Sequence, residues 1–279
     1  MKKKRRKKNI LPGFGLSMGI TTMYLSFIVL IPLSMVFIES AQLGWQEFYN
    51  VVTSDRVMHA YKISFLTAFS AAFLNAVFGL LIAWVLVKYR FPGKRLIDGL
   101  IDLPFALPTA VAGIALSTLY SEDGWLGQFF TLINIKVSFT PIGITIALMF
   151  IGLPFVVRMI QPVLENFEKE VEEAASSLGA TKRQVFTKVI FPELLPSLLA
   201  GFSLAFARGI GEYGSVIFIA GNMPMESEIA PLMIMTKLEQ FDYAGATAIA
   251  AVMLIVSFLC LIIINLLQKW SRKHELQNE

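Results

Sequence analysis

The sequence predicts an all-α integral membrane protein: six spanning helices with one long polar insert between the fourth and the fifth. Three observations carry that prediction. Hydrophobic residues make up 56% of the 279 and charged residues only 16%, against about a quarter charged in soluble domains. The apolar residues gather in six runs, at roughly 14–38, 61–87, 100–119, 141–164, 194–220 and 244–268, each able to cross a hydrocarbon core of about 30 Å at about 1.5 Å per residue. When the segments between runs are assigned alternately to two sides, 19 of the 24 Lys and Arg fall on one side and 4 on the other. The positive-inside rule then makes both termini cytoplasmic. Barrel strands are excluded because the runs lack a short alternating pattern.

The first run, 14–38, follows the basic block Lys2–Lys8. A basic start before an apolar run also describes a signal peptide, but this run exceeds a usual h-region and Glu39-Ser40-Ala41 is a poor cleavage site. It reads as an uncleaved span, preceded by a cytoplasmic N-terminus over residues 1–13. Immediately before a span, the block reads as an orientation signal touching anionic lipid, rather than as a nucleic-acid patch. The second run, 61–87, is uninterrupted.

The third run opens Asp102-Leu-Pro104-Phe-Ala-Leu-Pro108-Thr-Ala-Val-Ala-Gly113. Two prolines four apart prevent a smooth helix and free backbone carbonyls. Pro154 and Pro162 are expected to do similar work in the fourth run, and Asp102 and Arg158 sit near the ends of these two spans. Broken helices around a central path are typical of transporters, although a proline kink also serves plain packing.

The fifth run carries Arg208 and Glu212, four apart on one helix face and able to pair. Each costs about 2.5–3.5 kcal/mol at mid-membrane, so such residues face a bundle interior or a watery path. Two roles stay open: a structural ion pair, or the lining of an anion path. Gly209, Gly211 and Gly214 permit close approach or local unwinding at that level. The sixth run leads into a cytoplasmic tail, 269–279, and the membrane domain as a whole spans 14–268. The external segments 39–60, 120–140 and 221–243 hold Trp45, Tyr49, Tyr120, Trp125 and Tyr243, as interfacial aromatic belts do; they are short for an external catalytic or binding domain.

Several classes drop out. Gly209-Ile-Gly211-Glu-Tyr-Gly214 matches the dinucleotide pattern G-x-G-x-x-G but lies inside an apolar span, with no βαβ unit around it. No phosphate loop occurs, the nearest stretch being Pro92-Gly-Lys-Arg95. The lone Cys260 gives no disulfide framework, and the distant His59 and His274 give no metal cluster. No catalytic residue and no cofactor is expected.

The polar insert, 165–193, alternates faces. Phe167, Val171, Ala174, Ala175 and Leu178 form an apolar stripe at helical spacing, with Glu165, Glu168, Glu170, Glu172 and Glu173 mainly on the remaining surface. Gly179 stands where a helix C-terminus wants a left-handed residue. Thr181-Lys-Arg-Gln184 fits a capping box opening a second helix, which is expected to stop before Pro192. The small residues Ala174, Ala175 and Gly179 suit a knob inserted into a partner's groove, although a charged loop can also pack merely on its own protein.

The pattern Glu173-Ala-Ala-x-x-x-Gly179-x(12)-Pro192 resembles the loop by which permease subunits of type I ABC importers dock onto their ATPase. Leu103–Gly113, Leu153-Pro-Phe-Val-Val-Arg158, Glu173–Gly179 and Ala207-Arg-Gly-Ile-Gly-Glu-Tyr-Gly214 together resemble the T-type permeases of sulfate/thiosulfate importers, over about Leu11 to Trp270. Phe218-Ile-Ala-Gly-Asn222 followed by Leu238-Glu-Gln-Phe-Asp-Tyr243 favours sulfate over the similar molybdate/tungstate permeases. The family's loop usually ends Ile-x-Leu-Pro; here it reads Val189-Ile-Phe191-Pro192, which stays apolar. The Lys2–Lys8 block has no counterpart in the family motif.

The resemblance implies coupling to the ATPase through Glu173, Ala174, Ala175, Gly179 and Pro192. It implies a path or gate at Pro104, Pro108, Arg208, Gly209, Gly211 and Glu212. The implied partners are a homologous second permease, two ATP-binding subunits that hold the ATP, an extracytoplasmic sulfate-binding protein, and membrane lipid. The expected location is a bacterial plasma membrane. Two other classes compete: a secondary anion transporter or channel using Arg208 and Glu212 as a relay, and a structural scaffold. The first needs no amphipathic docking knob, and six spans is short for an inverted-repeat carrier; the second leaves the paired intramembrane charges unexplained.

Overall fold

The computed structural model describes residues 13–275, and every regular element among them is helical. The basic block Lys2–Lys8 and the last residues of the tail lie outside the described residues. α1, Phe14–Ala41, is one apolar helix with a π-helical turn at Ser26–Leu30. Of its residues only Ser40 is buried, and its C-terminal half leans on the last helix of the chain. The short α2, Gly44–Val52, leads to the 34-residue α3, Asp55–Lys88.

α3 shows how the core is built. Its buried face is made largely of small residues at helical spacing, Ala60, Ser64, Ala68, Ala71, Gly79 and Ala83, while Phe69, Phe73 and Leu81 stay exposed. In lipid, burying a large apolar side chain against another helix gains little, so close backbone approach decides which helices associate. A Cβ at Gly79 would lie 2.7 Å from Val156 Cγ1, so the helices meet with no room there for a side chain.

The third run is not one span. It forms α4, Lys94–Ile101, α5, Leu103–Ala106, and α6, Thr109–Tyr120. Leu107, before Pro108, is extended at ψ 136, because the proline ring crowds a helical neighbour on its N-terminal side. After the external α7, Gly127–Leu132, comes α8, Pro141–Glu165. The expectation that Pro154 and Pro162 break this span is wrong: both lie inside a continuous helix. Pro154 is buried between α3 and the next long helix, and Val156 and Val157 beside it are 0% exposed, so packing on two sides holds the helical path.

The insert supplies α9, Lys169–Ser177, and the long helix that follows is α10, Lys182–Ile210. The expected stop before Pro192 does not occur. A π-helical turn, Phe186–Ile190, closes with the Phe191 N–H on the Phe186 carbonyl, and the wider register carries the chain past a residue that has no N–H. α10 also ends earlier than the fifth run, at Ile210 instead of 220. α11, Val216–Ala220, α12, Ala230–Glu239, and α13, Tyr243–Glu275, complete the chain.

Among the described residues five helices, α1, α3, α8, α10 and the α13 segment Tyr243–Leu266, are long and apolar enough to cross a membrane; α6 is shorter. The expected six continuous spans are therefore five spanning helices and one broken run. Asp242 caps α13 through the Gly245 N–H at 2.9 Å and accepts from Lys237 Nζ at 2.7 Å. Lys237 first, then that N–H, holds the Asp242 carboxyl below its ordinary range.

Candidate functional site

Two helix interruptions gather the residues singled out by the sequence, and they lie toward opposite ends of α3. Glu172 of α9 pairs with Lys88 at its C-terminal end, whereas Glu228 pairs with Arg56 at its N-terminal end.

At the first, α9 closes in a Schellman turn. The Gly179 N–H donates to Ser176 O at 3.0 Å and the Ala180 N–H to Ala175 O at 3.1 Å, with Gly179 at φ +86°, a conformation that costs other residues strain. Thr181 and Gln184 then form the reciprocal capping box, the Thr181 N–H reaching Gln184 Oε1 at 2.8 Å. Glu173, Ala174 and Gly179 are exposed and Ala175 is half-buried. Leu178 is 89% exposed and Val171 42%, so most of the apolar stripe faces outward. Pro192 sits apart, inside α10. Between the end of α8, α9 and α10 lies a cavity of about 570 Å³, lined by Val163, Phe167, Val171 and Val189 with Glu168 and Glu193.

At the second, Arg208 Nη1 lies 2.5 Å from Glu212 Oε2, and the Glu212 side chain is 2% exposed against 36% for Arg208. They do not share a helix face as expected, since α10 stops at Ile210 and Glu212 lies in the turn beyond. There Glu212 Oε1 also accepts from the Ser215 N–H at 2.9 Å and Ser215 Oγ at 3.0 Å, tying down the start of α11. Gly209 packs at ordinary distance on Ala68, 3.5 Å for a built Cβ, and Gly211 faces open space. The close approach is elsewhere: a Cβ at Gly113 would lie 2.4 Å from the Ser215 carbonyl oxygen, and one at Gly214 would lie 2.2 Å from Thr109 Oγ1. The start of α6, just after Pro108, thus packs on the Glu212–Ser215 turn. Pro104 sits in α5, where the Phe105 and Phe155 rings meet edge-on at 5.1 Å.

The residues Asp98, Asp102 and Arg158 form a clamp that sequence reading missed. Arg158 Nε and Nη2 bond both Asp102 carboxylate oxygens at 2.9 and 2.6 Å, and Nη1 bonds Asp98 Oδ1 at 2.7 Å. This fork holds α4 and α5 against α8. The signal was present as two carboxylates four apart beside a basic residue in an adjacent span. Among the described residues no group of His, Cys, Asp and Glu could hold a metal ion.

Residues 75–274 match the family model "Binding-protein-dependent transport system inner membrane component". The chain is 51% identical over 261 residues to the sulfate transport system permease protein CysT of Salmonella typhimurium, covering 94% of both chains. It is 50% identical to the CysT protein of Escherichia coli over the same shares. A solved bacterial alginate ABC transporter, in complex with an alginate pentasaccharide-bound periplasmic protein, superposes with a TM-score of 0.72 at 16% identity, over 90% of this chain and 92% of that one.

Proposed function

The chain belongs to the binding-protein-dependent transport system inner membrane component family, and from that membership we propose that it is the permease subunit of a sulfate ABC importer. The single observation that carries the substrate is identity near one half across almost the full length of sulfate permeases. Its role is transport, and ATP hydrolysis resides in partner subunits. The assembly contains a homologous second permease, two ATP-binding subunits and an external sulfate-binding protein.

The α9–Gly179–α10 elbow docks on an ATPase subunit. Glu173 and Leu178 point outward, Ala174 and Ala175 allow close backbone approach, and the Schellman turn and capping box make the elbow stiff enough to pass on a rigid-body push. Closure of the ATPases on ATP displaces α9, and the attached spans rock from inward- to outward-facing. Arg208 offers a positive charge beside the turn where α10 breaks and α6 packs, a suitable place for a dianion to pass without a fixed cage. The half-buried Arg208 and the buried Glu212 divide the work: Arg208 faces the path while Glu212 holds the turn.

A strain lacking only this chain should regain uptake of labelled sulfate when the gene is restored. Restored uptake of molybdate without sulfate would move the assignment to the molybdate class. For topology, the 19-to-4 split of Lys and Arg supports cytoplasmic termini by the positive-inside rule, and Arg56 and Lys88 lie at opposite ends of α3. In a Cys260→Ala background, an impermeant thiol reagent added outside should label Glu122→Cys and Met225→Cys and spare Lys94→Cys. Labelling at position 94 alone would invert the orientation.

A further inference from the structure

We infer that Lys88 is the strut that fastens α9 to the transmembrane core, so that α9 and α3 move as one body during transport. This rests on the reading of the 165–192 loop as the ATPase-docking element. The Lys88 ammonium donates to Glu172 Oε1. It also lies 5.6 Å from the Trp84 ring centroid and 5.7 Å from that of Phe167. Trp84 in turn meets Phe186 edge-on at 5.3 Å, within the π-helical turn of α10. One cation therefore joins α3, the linker before α9, α9 itself and, through Trp84, the helix that leaves the loop.

α9 buries none of its residues fully, and its apolar contact with the core is the small, partly buried Ala175, so apolar packing holds it only weakly. Among the described residues, its one ion pair is this one. The pair is not a solvated surface contact, because Lys88 is 21% exposed and Glu172 29%. A partly desolvated ammonium between two aromatic rings gains more than an exposed one, whereas an exposed pair gains little.

The Glu172-Glu173 doublet then divides by geometry. Successive helical residues are turned by about 100°, so Glu172 faces inward to Lys88 and Glu173 stands exposed toward the partner. A push received at Glu173 reaches α3 through Lys88. Lys88 is a positioning residue: it touches neither substrate nor nucleotide.

The test uses the complete transporter in proteoliposomes, with the binding protein and labelled sulfate, reading ATPase retention, ATP hydrolysis and sulfate moved per ATP. With Lys88→Met the ATPase should stay bound while sulfate per ATP drops roughly tenfold, the factor carried by about 1.4 kcal/mol. Lys88→Arg should stay near the parent ratio, because a guanidinium both pairs with a carboxylate and stacks on aromatic rings. An unchanged ratio in Lys88→Met, with Gly179→Val uncoupled, overturns the strut and leaves docking intact. Unchanged ratios in both variants overturn the docking reading itself.

A second arm covers misfolding of Lys88→Met. In a Cys260→Ala background, Lys88→Cys with Glu172→Cys should couple poorly until a short bis-maleimide joins the two thiols, which should raise sulfate per ATP toward the parent value. A linked protein that still couples poorly overturns the inference.

Discussion

Residues 165–182 and residues 211–229 both interrupt the helices that carry them, and they treat charge in opposite ways. In the first, Glu173 and Leu178 are exposed, no α9 residue is buried, and Lys88 makes the single ion pair of α9 among the described residues. In the second, Glu212, Ser215, Ser227 and Glu228 are each 2% exposed or less, and each makes hydrogen bonds. Burial of a carboxylate is tolerated only when it is paired, so the second insert is locked. An exposed charged face has no such need for a partner within the chain. The contrast separates an exposed elbow, the part proposed to dock on the ATPase, from a turn that holds its own shape.

The largest effect expected from that contrast is at Glu228. It takes a two-pronged bond from Arg56, 2.7 Å to each carboxylate oxygen, and its side chain is 1% exposed. Arg56→Ala, which leaves that carboxylate buried and unpaired, should cost about 3 kcal/mol. Thermal unfolding in detergent measures it; a loss below about 1 kcal/mol would mean the outer insert is not locked.

A smaller effect on folding, with a large effect on transport, is expected at Arg208. Exchanging the charges of Arg208 and Glu212 is a poor test, because an Arg at 212 cannot accept from Ser215. Arg208→Gln leaves those bonds to Oε1 in place and keeps an amide N–H donor for Oε2, so the buried carboxylate stays hydrogen-bonded. It should accumulate in the membrane within about twofold of the parent and lose most sulfate uptake; uptake at the original rate would make Arg208 structural.

The smallest effect concerns Asp242. Its carboxyl is held low by Lys237 and the Gly245 N–H, so its contribution is complete above about pH 4, the unfolded value, and is lost as the pH falls toward the lower native one. Asp242→Asn keeps a good cap and should match the parent within about 0.5 kcal/mol near pH 7. Acid-induced loss of melting temperature should then be slightly shallower in the variant; identical slopes would remove Asp242 from the acid response.

Prolines show why some of this was legible in the sequence and some was not. Pro104 and Pro108 break the third run as expected, because Leu107 and Pro108 are exposed and no neighbouring helix compresses the backbone there. Pro154 follows the same local rule and fails to break α8, since α3 and α10 pack on either side of it; the exposed Pro162 also stays inside the helix, and burial does not explain it. Pro192 is carried through α10 by a π-helical turn, which no residue pattern announces. Gly179 and Thr181–Gln184 were legible because a Schellman turn and a capping box are local. The partnerships Arg158 with Asp98 and Asp102, Lys88 with Glu172, and Arg56 with Glu228 join residues far apart in the chain. For the clamp the sequence offers only the hint of two carboxylates four apart near a basic residue in the next span, and for the other two pairs spacing gives no signal.

The exposed elbow is the part on which the transport reading depends, and Gly179 tests it most directly. A valine there must adopt φ near +86°, which a β-branched residue resists, while the open space around the site leaves no steric clash to unfold the bundle. Sulfate uptake and ATP hydrolysis should be measured together in proteoliposomes holding the complete transporter with Gly179→Val, after membrane levels are matched. The expected result is retained ATP hydrolysis with sulfate uptake largely lost. Normal uptake, with the ATPase still bound, would contradict the assignment of residues 165–192 as the coupling element.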